Sequence, residues 1–423
     1  MEKHTICLLN DAFPPLLDGV SNAVVNYGKN IAAHHGRALV VTPEISGAQD
    51  DAFLFPVLRY PGIDMRALTG YVAGCPFSPQ IAGQLRAERV ELLHAHCPIS
   101  SCFLARSLRD VLTVPLVLTY HTKFDIEIDR LFRSRALQRE AIHALLQNIN
   151  SCDEVWTVSR GAGENLRSLG YEGEYIVMEN GVDLPCSAAS QKAVAAVMKG
   201  YDLPNGIPVF LFVGRLMWYK GLRIMLDALK ILQEAGHDFR MIFVGDGADR
   251  AAAQECAAKI GIAGKCIFVG AVNEREILRA WYTRADLFLF PSTFDTNGLV
   301  VREAAACGTA SVLVRDSCAA ERIADGKNGF LIEENTAALA EKLKVLCGAP
   351  QTVRRVGECA QRELYLSWET AVARAWERYE IVLDNYRSGR CKKHDTPFDG
   401  FLGWQGRMME MLAGADQFPH FHS

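Results

Sequence analysis

The sequence predicts an α/β protein of two doubly wound, parallel-sheet domains. Three observations lead there. The 423 residues exceed what one hydrophobic core usually organises and suit two domains of roughly 200 residues each. Short apolar runs alternate with segments of helical spacing, as in parallel sheets covered on both faces by helices. The alternation then begins again after a less patterned stretch, Ser187–Pro204.

In the first half, the apolar runs Thr5–Leu9, Ala38–Thr42, Val90–His94, Pro115–Tyr120 and Glu154–Val158 are the expected strands. Helices are expected over Val20–Ala33, over Ile126–Asn150 and around Gly163–Leu169. In the second half, Val209–Val213, Arg240–Val244, Ile267–Gly270 and Ala285–Phe290 are the strands. Gly221–Ala235, Ala251–Ile260, Arg275–Thr283 and Val301–Cys307 are the helices. The economical division is a first domain over residues 1–185, a second over 186–367, a helix over 368–390 and an appended tail over 391–423. Trp376, Tyr379 and Val382 recur at helical spacing in the third of these. The tail carries Phe398, Phe401, Leu402, Trp404, Met408, Met409 and Leu412. It is expected to be an amphipathic helix, either packed on the protein or inserted in lipid.

Composition bounds the function. Apolar content of 49% and charged content of 22% are ordinary for a globular protein, and a net charge of −4 argues against a nucleic-acid partner, which would call for a basic stripe. Thirteen scattered cysteines with no C-x-x-C pair point to free thiols in a reducing, cytoplasmic setting. No apolar run approaches the ~20 residues needed to span a bilayer.

The most informative stretch is Pro291–Gly308, P-S-T-F-D-T-N-G-L-V-V-R-E-A-A-A-C-G, which sets Asp295 and Glu303 around a strand-to-helix turn. Thr296, Asn297 and Gly298 fall in the loop at the strand's carboxyl end, where an open α/β sheet binds ligands. Backbone N–H groups at the helix start can hold an anion or a sugar hydroxyl. A nucleotide sugar is the natural ligand of such a site. A second loop, Asn10–Ser21, leads into a helix, so Gly19 can bring backbone close to a phosphate. With one glycine it is not the G-x-G-x-x-G of dinucleotide binding. His94-Ala-His96 and His121 follow apolar strands and so lie at carboxyl ends. No ligand-spaced cysteine or carboxylate accompanies the H-x-H pair, which disfavours a metal.

On the motif Pro291–Gly308, two acids separated by seven residues and flanked by P-S and E-A-x-A-x-G, the chain resembles the retaining GT-B glycosyltransferases of family 4. It departs at the first acid, Asp295, where the family has Glu. Asp reaches roughly 1.5 Å less far. Val213–Gly221, V-G-R-L-M-W-Y-K-G, resembles the family's G-R-x-x-x-x-K-G loop.

The resemblance implies a GT-B fold, two Rossmann-like domains facing each other across a cleft, with the helix over 368–390 returning to the first domain. It implies Arg215 and Lys220 on the leaving diphosphate and Asp295 on sugar hydroxyls. It further implies backbone N–H groups of Gly298 and Leu299 beside the donor, with Asn297 in the same loop, and Glu303 on the ribose. His121 is implied near the transferred sugar, with no metal or other cofactor beyond the donor, expected to be UDP-glucose. Val244-Gly-Asp-Gly247 either shapes the nucleotide pocket or is a plain turn.

Two details, F-P-P-x-x-D-G-V at Phe13–Val20 and T-Y-H-T-K-F-D at Thr119–Asp125, resemble the branch that glycosylates diacylglycerol. Arg130, Arg133, Arg135 and Arg139 on the expected helix either meet an anionic leaflet or solvate a helix face. The leading expectation is a retaining hexosyltransferase moving glucose from a UDP-sugar to a lipid acceptor, peripheral on the inner face of the membrane. The alternatives are a soluble acceptor such as a polysaccharide or thiol precursor, a UDP-N-acetylglucosamine 2-epimerase of the same fold, and a partner protein without activity.

Overall fold

The computed structural model of the protein describes residues 4–16, 18–66, 71–391 and 397–415. The chain divides into two compact units, Met1–Glu179 together with Trp368–Ser423, and Asn180–Ser367.

The first unit carries β1 (Thr5–Leu9), β2 (Arg37–Pro43), β3 (Val57–Tyr60), β4 (Gly62–Asp64), β5 (Val72–Gly74), β6 (Leu92–Ala95), β7 (Leu116–Tyr120), β8 (Glu154–Thr157) and β9 (Ile176–Val177). Seven of these form one sheet in the order β3-β2-β1-β6-β7-β8-β9, and β4 and β5 make a separate antiparallel pair. Every pairing in the large sheet is parallel. All residues of β1 and β7 are buried, so both faces are covered, and this is why these strands are continuous apolar runs rather than alternating ones.

The second unit carries β10 (Val209–Val213), β11 (Arg240–Val244), β12 (Cys266–Gly270), β13 (Leu287–Phe290), β14 (Ala310–Val314) and β15 (Phe330–Ile332). They form one parallel sheet in the order β12-β11-β10-β13-β14-β15. Its core is rich in phenylalanine: Phe243 stacks on Phe268 at 4.6 Å, and Phe212 on Phe290 at 6.1 Å. That packing fixes the end of β13, from which the Pro291–Gly308 motif departs.

Two expectations need correction. The helix expected over Ile126–Asn150 is two, Phe124–Leu131 and Arg135–Asn150. Phe132 and Ser134 are extended, and the Gln138 side-chain amide donates to the Phe132 carbonyl at 2.8 Å. Ser134 takes the helix-start position that its residue type favours. The four arginines therefore do not line one helix face. The two units divide between Glu179 and Asn180, and within the second Val182 pairs with Ser367, its N–H donating to the Leu366 carbonyl at 2.9 Å. The stretch Ser187–Pro204 holds a helix, Gln191–Met198, whose start is capped by the Ser190 side chain.

The helix Trp368–Arg387 belongs to the first unit and packs on the helix Gly19–Asn30 and the following π-helical turn Ile31–His35. Trp376 stacks on His35 at 5.4 Å, and Arg378 pairs with Glu154 at 2.5 Å. The tail forms the helix Pro397–Ala415, packed on the helices Ser100–Leu112 and Pro79–Ala87. Every cysteine is a free thiol. Among the described residues no helix is long and apolar enough to cross a membrane.

Candidate active site

In each large sheet the strand order reverses once, between β1 and β6 in the first unit and between β10 and β13 in the second. At such a point the loops leaving adjacent strands diverge and open a crevice at the carboxyl ends, where α/β sheets bind ligands. In the second unit those loops carry the two motifs singled out in the sequence.

The loop after β10 passes through Gly214 and Arg215 into a short 3₁₀ turn, Trp218–Lys220, and then through Gly221 into the helix Leu222–Glu234. Gly221 has φ +79°, and a Cβ there would collide with the Pro291 carbonyl oxygen. Only glycine combines that backbone conformation with so close an approach. The two loops are thereby held together, and Lys220 reaches Asp295 with Nζ 2.5 Å from Oδ1. Ser292 donates to the other carboxylate oxygen of Asp295 at 2.7 Å.

The Lys220 side chain is nearly buried and lies 5.1 Å from the Phe294 ring centroid and 5.7 Å from that of Tyr219. A cation so desolvated is stabilised by aromatic faces as well as by its carboxylate. Arg215, by contrast, is exposed. The segment Val244–Gly247 is more than a plain turn: a Cβ on Gly245 would strike the Gly214 carbonyl, and one on Gly247 the Leu216 carbonyl. The Leu216 N–H donates to the Asp246 carbonyl at 2.9 Å, and that of Trp218 to Asp249 at 2.9 Å. These contacts brace the Arg215–Lys220 loop from behind.

After β13 the chain turns at Gly298 (φ 60°), where a Cβ would lie 2.7 Å from that of Ala319, and enters the helix Leu299–Ala306. The N–H groups of Leu299 and Val300 have no acceptor within the helix, whereas those of Val301 and Arg302 donate to the Gly298 carbonyl at 2.8 and 3.4 Å. Both side-chain amide atoms of Asn297 are shielded from solvent and find no hydrogen-bond partner among the described residues. A shielded amide left unpaired is costly and calls for a partner that the described residues do not supply.

One turn into the helix, Glu303 is buried. Arg275 donates to it at 3.1 Å and the Tyr282 hydroxyl at 3.0 Å. Burial pushes its pKa up, and the opposing pull of the Arg275 charge does not overcome that.

In the first unit, Gly19 opens the helix Gly19–Asn30, and a Cβ there would meet nothing within 4 Å. The helix start is already capped: the Asp18 carboxylate accepts from the Ser21 N–H at 2.7 Å, and Ser21 Oγ accepts from the Asp18 N–H at 2.8 Å. A phosphate arriving there would meet a carboxylate as well as N–H groups.

His94, His96 and His121 form a chain at the ends of β6 and β7. His94 Nδ1 lies 2.6 Å from the Tyr379 hydroxyl and its Nε2 lies 2.7 Å from Thr119 Oγ1, while His96 Nδ1 lies 3.0 Å from His121 Nε2. Burial drives all three pKa values down, that of His121 to about 3, so the rings are neutral at pH 7. His94 thus has both ring nitrogens engaged by protein hydroxyls. Among the described residues no three His, Cys, Asp or Glu side chains cluster as metal ligands would.

The structure brings Lys220, Asp295, Asn297, Gly298, Leu299 and Glu303 to one end of the second sheet, with Arg215 on the same loop as Lys220. His121 and Gly19 belong to the first unit. Sequence reasoning missed Arg275 and Tyr282 around Glu303, the aromatic pair Tyr219 and Phe294 around Lys220, and Tyr379 behind His94. Ser292 lay within the recognised motif, and Tyr219 and Phe294 each adjoin a flagged residue. Arg275 and Tyr379 are far from their partners in sequence, and no local pattern signals them.

Comparison with known proteins agrees with this geometry. Residues 17–185 match the family Glycosyltransferase Family 4, and residues 196–363 match Glycosyl transferases group 1. The alpha-monoglucosyldiacylglycerol synthase of Acholeplasma laidlawii is 24% identical over 342 residues, covering 78% of this chain and 85% of its own. The D-inositol 3-phosphate glycosyltransferase 2 of Catenulispora acidiphila is 27% identical over 354 residues, 79% and 81% of the two chains. The crystal structure of Anabaena HepE in complex with UDP superposes with a TM-score of 0.73 at 18% identity, over 90% of this chain and all of that one. Two parallel-sheet units, each with one switch point, define a two-domain Rossmann-like α/β protein. The chain belongs to the GT-B glycosyltransferases of family 4.

Proposed function

We propose that the protein transfers a hexose, glucose foremost, from a UDP-sugar to a lipid acceptor such as diacylglycerol, with retention at the anomeric carbon. The observation that carries the donor half is the end of β13, where the Lys220–Asp295 pair lies two residues from the unpartnered Asn297 amide. Sugar hydroxyls are suited to satisfy that amide, and a diphosphate to share the Lys220 ammonium, which has three donors.

In this reading Arg215 and Lys220 neutralise charge on the departing UDP, and the Gly298 and Leu299 N–H groups add fixed donors. Asp295 orients the transferred sugar, and Glu303 accepts from the ribose. The acceptor oxygen bonds to the anomeric carbon as the bond from that carbon to the phosphate oxygen breaks on the same face. The acceptor's proton passes to the leaving phosphate. His121 serves as a neutral hydrogen-bonding partner of the sugar, because its burial keeps it uncharged. No protein-bound metal takes part.

The lipid acceptor is supported by the likeness to a monoglucosyldiacylglycerol synthase, and UDP by the HepE complex. A second reading, a soluble acceptor, is favoured by the likeness to a D-inositol 3-phosphate glycosyltransferase. Thermal unfolding with UDP-, GDP- and ADP-sugars tests the donor, since a ligand at 100 times its Kd stabilises by about 2.7 kcal/mol. UDP-glucose should raise Tm most. Transfer to diacylglycerol in mixed micelles then tests the acceptor. Full activity on inositol phosphate with none on diacylglycerol would refute the lipid reading, and conversion of UDP-N-acetylglucosamine without any acceptor would indicate an epimerase.

A further inference from the structure

The helix Pro397–Ala415 is apolar on two sides. Its inner side is buried against the first unit: Leu402 and Met409 are buried, and a Cβ on Gly406 would strike the Ser107 carbonyl of the helix Ser100–Leu112. Close approach of two helix backbones at a glycine fixes the orientation of the whole segment. The polar side chains along its seams are committed to that docking. Arg106 donates to Asp399 at 2.6 Å, Gln405 donates to the Pro76 carbonyl at 2.7 Å, and Glu410 pairs with Arg86.

The outer side carries Phe401, Trp404, Met411 and Leu412, which are 52%, 51%, 70% and 44% exposed. Their spacing places them on one face. The rings of Phe398, Phe401 and Trp404 follow one another at 6.3 and 5.9 Å. Single exposed apolar residues are normal, but a contiguous aromatic face on a firmly docked helix marks an interaction site.

The occupant follows from the charge beside it. Before this helix the sequence reads Arg390-Cys-Lys-Lys-His-Asp395, three cations within four residues followed by one acid, while Arg387 upstream is paired with Glu91 at 3.0 Å. Aromatic and aliphatic side chains that enter the headgroup region, flanked by cations, suit an anionic lipid surface. A second copy docked face to face by a twofold axis would instead bring like charges toward each other.

We propose that the outer face of the helix Pro397–Ala415 seats the protein on an anionic membrane surface, with Phe401 and Trp404 as its anchors. This rests on the lipid-acceptor reading but can be separated from it. It also moves the expected membrane contact away from Arg130–Arg139, whose helix is interrupted.

The test is flotation of the full chain with vesicles of equal parts phosphatidylglycerol and phosphatidylcholine, and with phosphatidylcholine alone. Wild type should float with the anionic vesicles, less so at high salt. Phe401→Ser/Trp404→Ser should lower that partition about tenfold or more. Lys392→Glu/Lys393→Glu should lower it and blunt its salt dependence, whereas Arg130→Glu/Arg133→Glu should leave it unchanged. Unaltered circular dichroism and an unaltered UDP-dependent rise in Tm would show that the first variant remains folded.

Failure of wild type to float, or flotation of Phe401→Ser/Trp404→Ser equal to wild type, overturns the proposal. So does a wild-type dimer in sedimentation that the same variant dissociates, since a second copy would then cover the face. Transfer to a lipid acceptor in detergent micelles separates the two readings. Micellar transfer without flotation removes the docking face alone, and flotation without any lipid transfer removes the acceptor reading alone.

Discussion

Lys220 and Asp295 hold each other across two loops of the second sheet, Nζ to Oδ1 at 2.5 Å, with the lysine nearly buried and the aspartate partly open. A diphosphate that reached Lys220, as proposed, would share its ammonium with Asp295. Asp295→Asn removes the competing charge, so UDP should bind as tightly as to wild type or more so, while kcat falls about 100-fold through loss of sugar positioning. Asp295→Glu keeps the charge on a stem roughly 1.5 Å longer and should retain transfer within about tenfold. Steady-state kinetics with UDP titration decide: equal losses in kcat and UDP affinity for Asp295→Asn would remove the residue from the sugar.

Two glycines should respond in opposite ways. Gly221→Ala forces a left-handed residue against the Pro291 carbonyl and should cost more than about 2 kcal/mol in urea unfolding, with loss of transfer as Lys220 is displaced. Gly19→Ala adds a methyl group to open space and should change stability by no more than about 0.5 kcal/mol. A lowered UDP-sugar affinity in that stable variant would reveal a phosphate passing close to Gly19. Unchanged affinity would assign the loop to Asp18 capping alone.

Nine strands were legible because a parallel sheet covered on both faces turns them into uninterrupted apolar runs, whereas the equally buried β14 and the short β3, β4, β5, β9 and β15 were not. Thr5–Leu9, Val209–Val213 and Arg240–Val244 match their expected limits. The interruption at Phe132–Ser134 was not legible, since no proline or glycine marks it and Ser134 is tolerated inside a helix. In the site, residues contiguous in sequence were found because their loops follow strands. Arg275 and Tyr282 were not, because they meet Glu303 only once the helix Arg275–Arg284 has packed beside the helix Leu299–Ala306. The inner packing face of the tail was foreshadowed by its apolar spacing. Its second, outer face became apparent only when the first was seen to be occupied.

Glu303→Gln tests the ribose assignment. The amide keeps an acceptor for the Tyr282 hydroxyl and loses the ion pair with Arg275, which is itself partly exposed. Fold stability should therefore change by less than about 1 kcal/mol, because the lost pair is offset by no longer burying a charge. A charge-assisted hydrogen bond to a ribose hydroxyl should disappear, raising the UDP Kd about tenfold with kcat within about threefold. Calorimetric titration with UDP checks the first value. A fall in kcat with unchanged UDP binding would place Glu303 at the reacting sugar.

The buried histidines make stability depend on pH in a defined direction. His121 is held near 3, and His94 and His96 well below the ordinary 6.5, so the folded chain keeps all three neutral where the unfolded chain takes up protons. Their contribution is complete above about pH 6.5 and is lost as pH falls below it, for His121 down toward 3, at up to about 1.4 kcal/mol per pH unit for each ring. By pH 5 His121 alone costs roughly 2 kcal/mol, and His94 and His96 act in the same direction. His121→Asn removes one titrating ring, so its urea midpoint should fall less between pH 7 and pH 5 than that of wild type. Parallel declines for the two proteins would show that His121 is protonated in the folded state. A ring that stays neutral also predicts a kcat profile without a break near pH 6.5 from this residue. Such a break in wild type, absent from His121→Asn, would overturn the neutral assignment on which its proposed role depends.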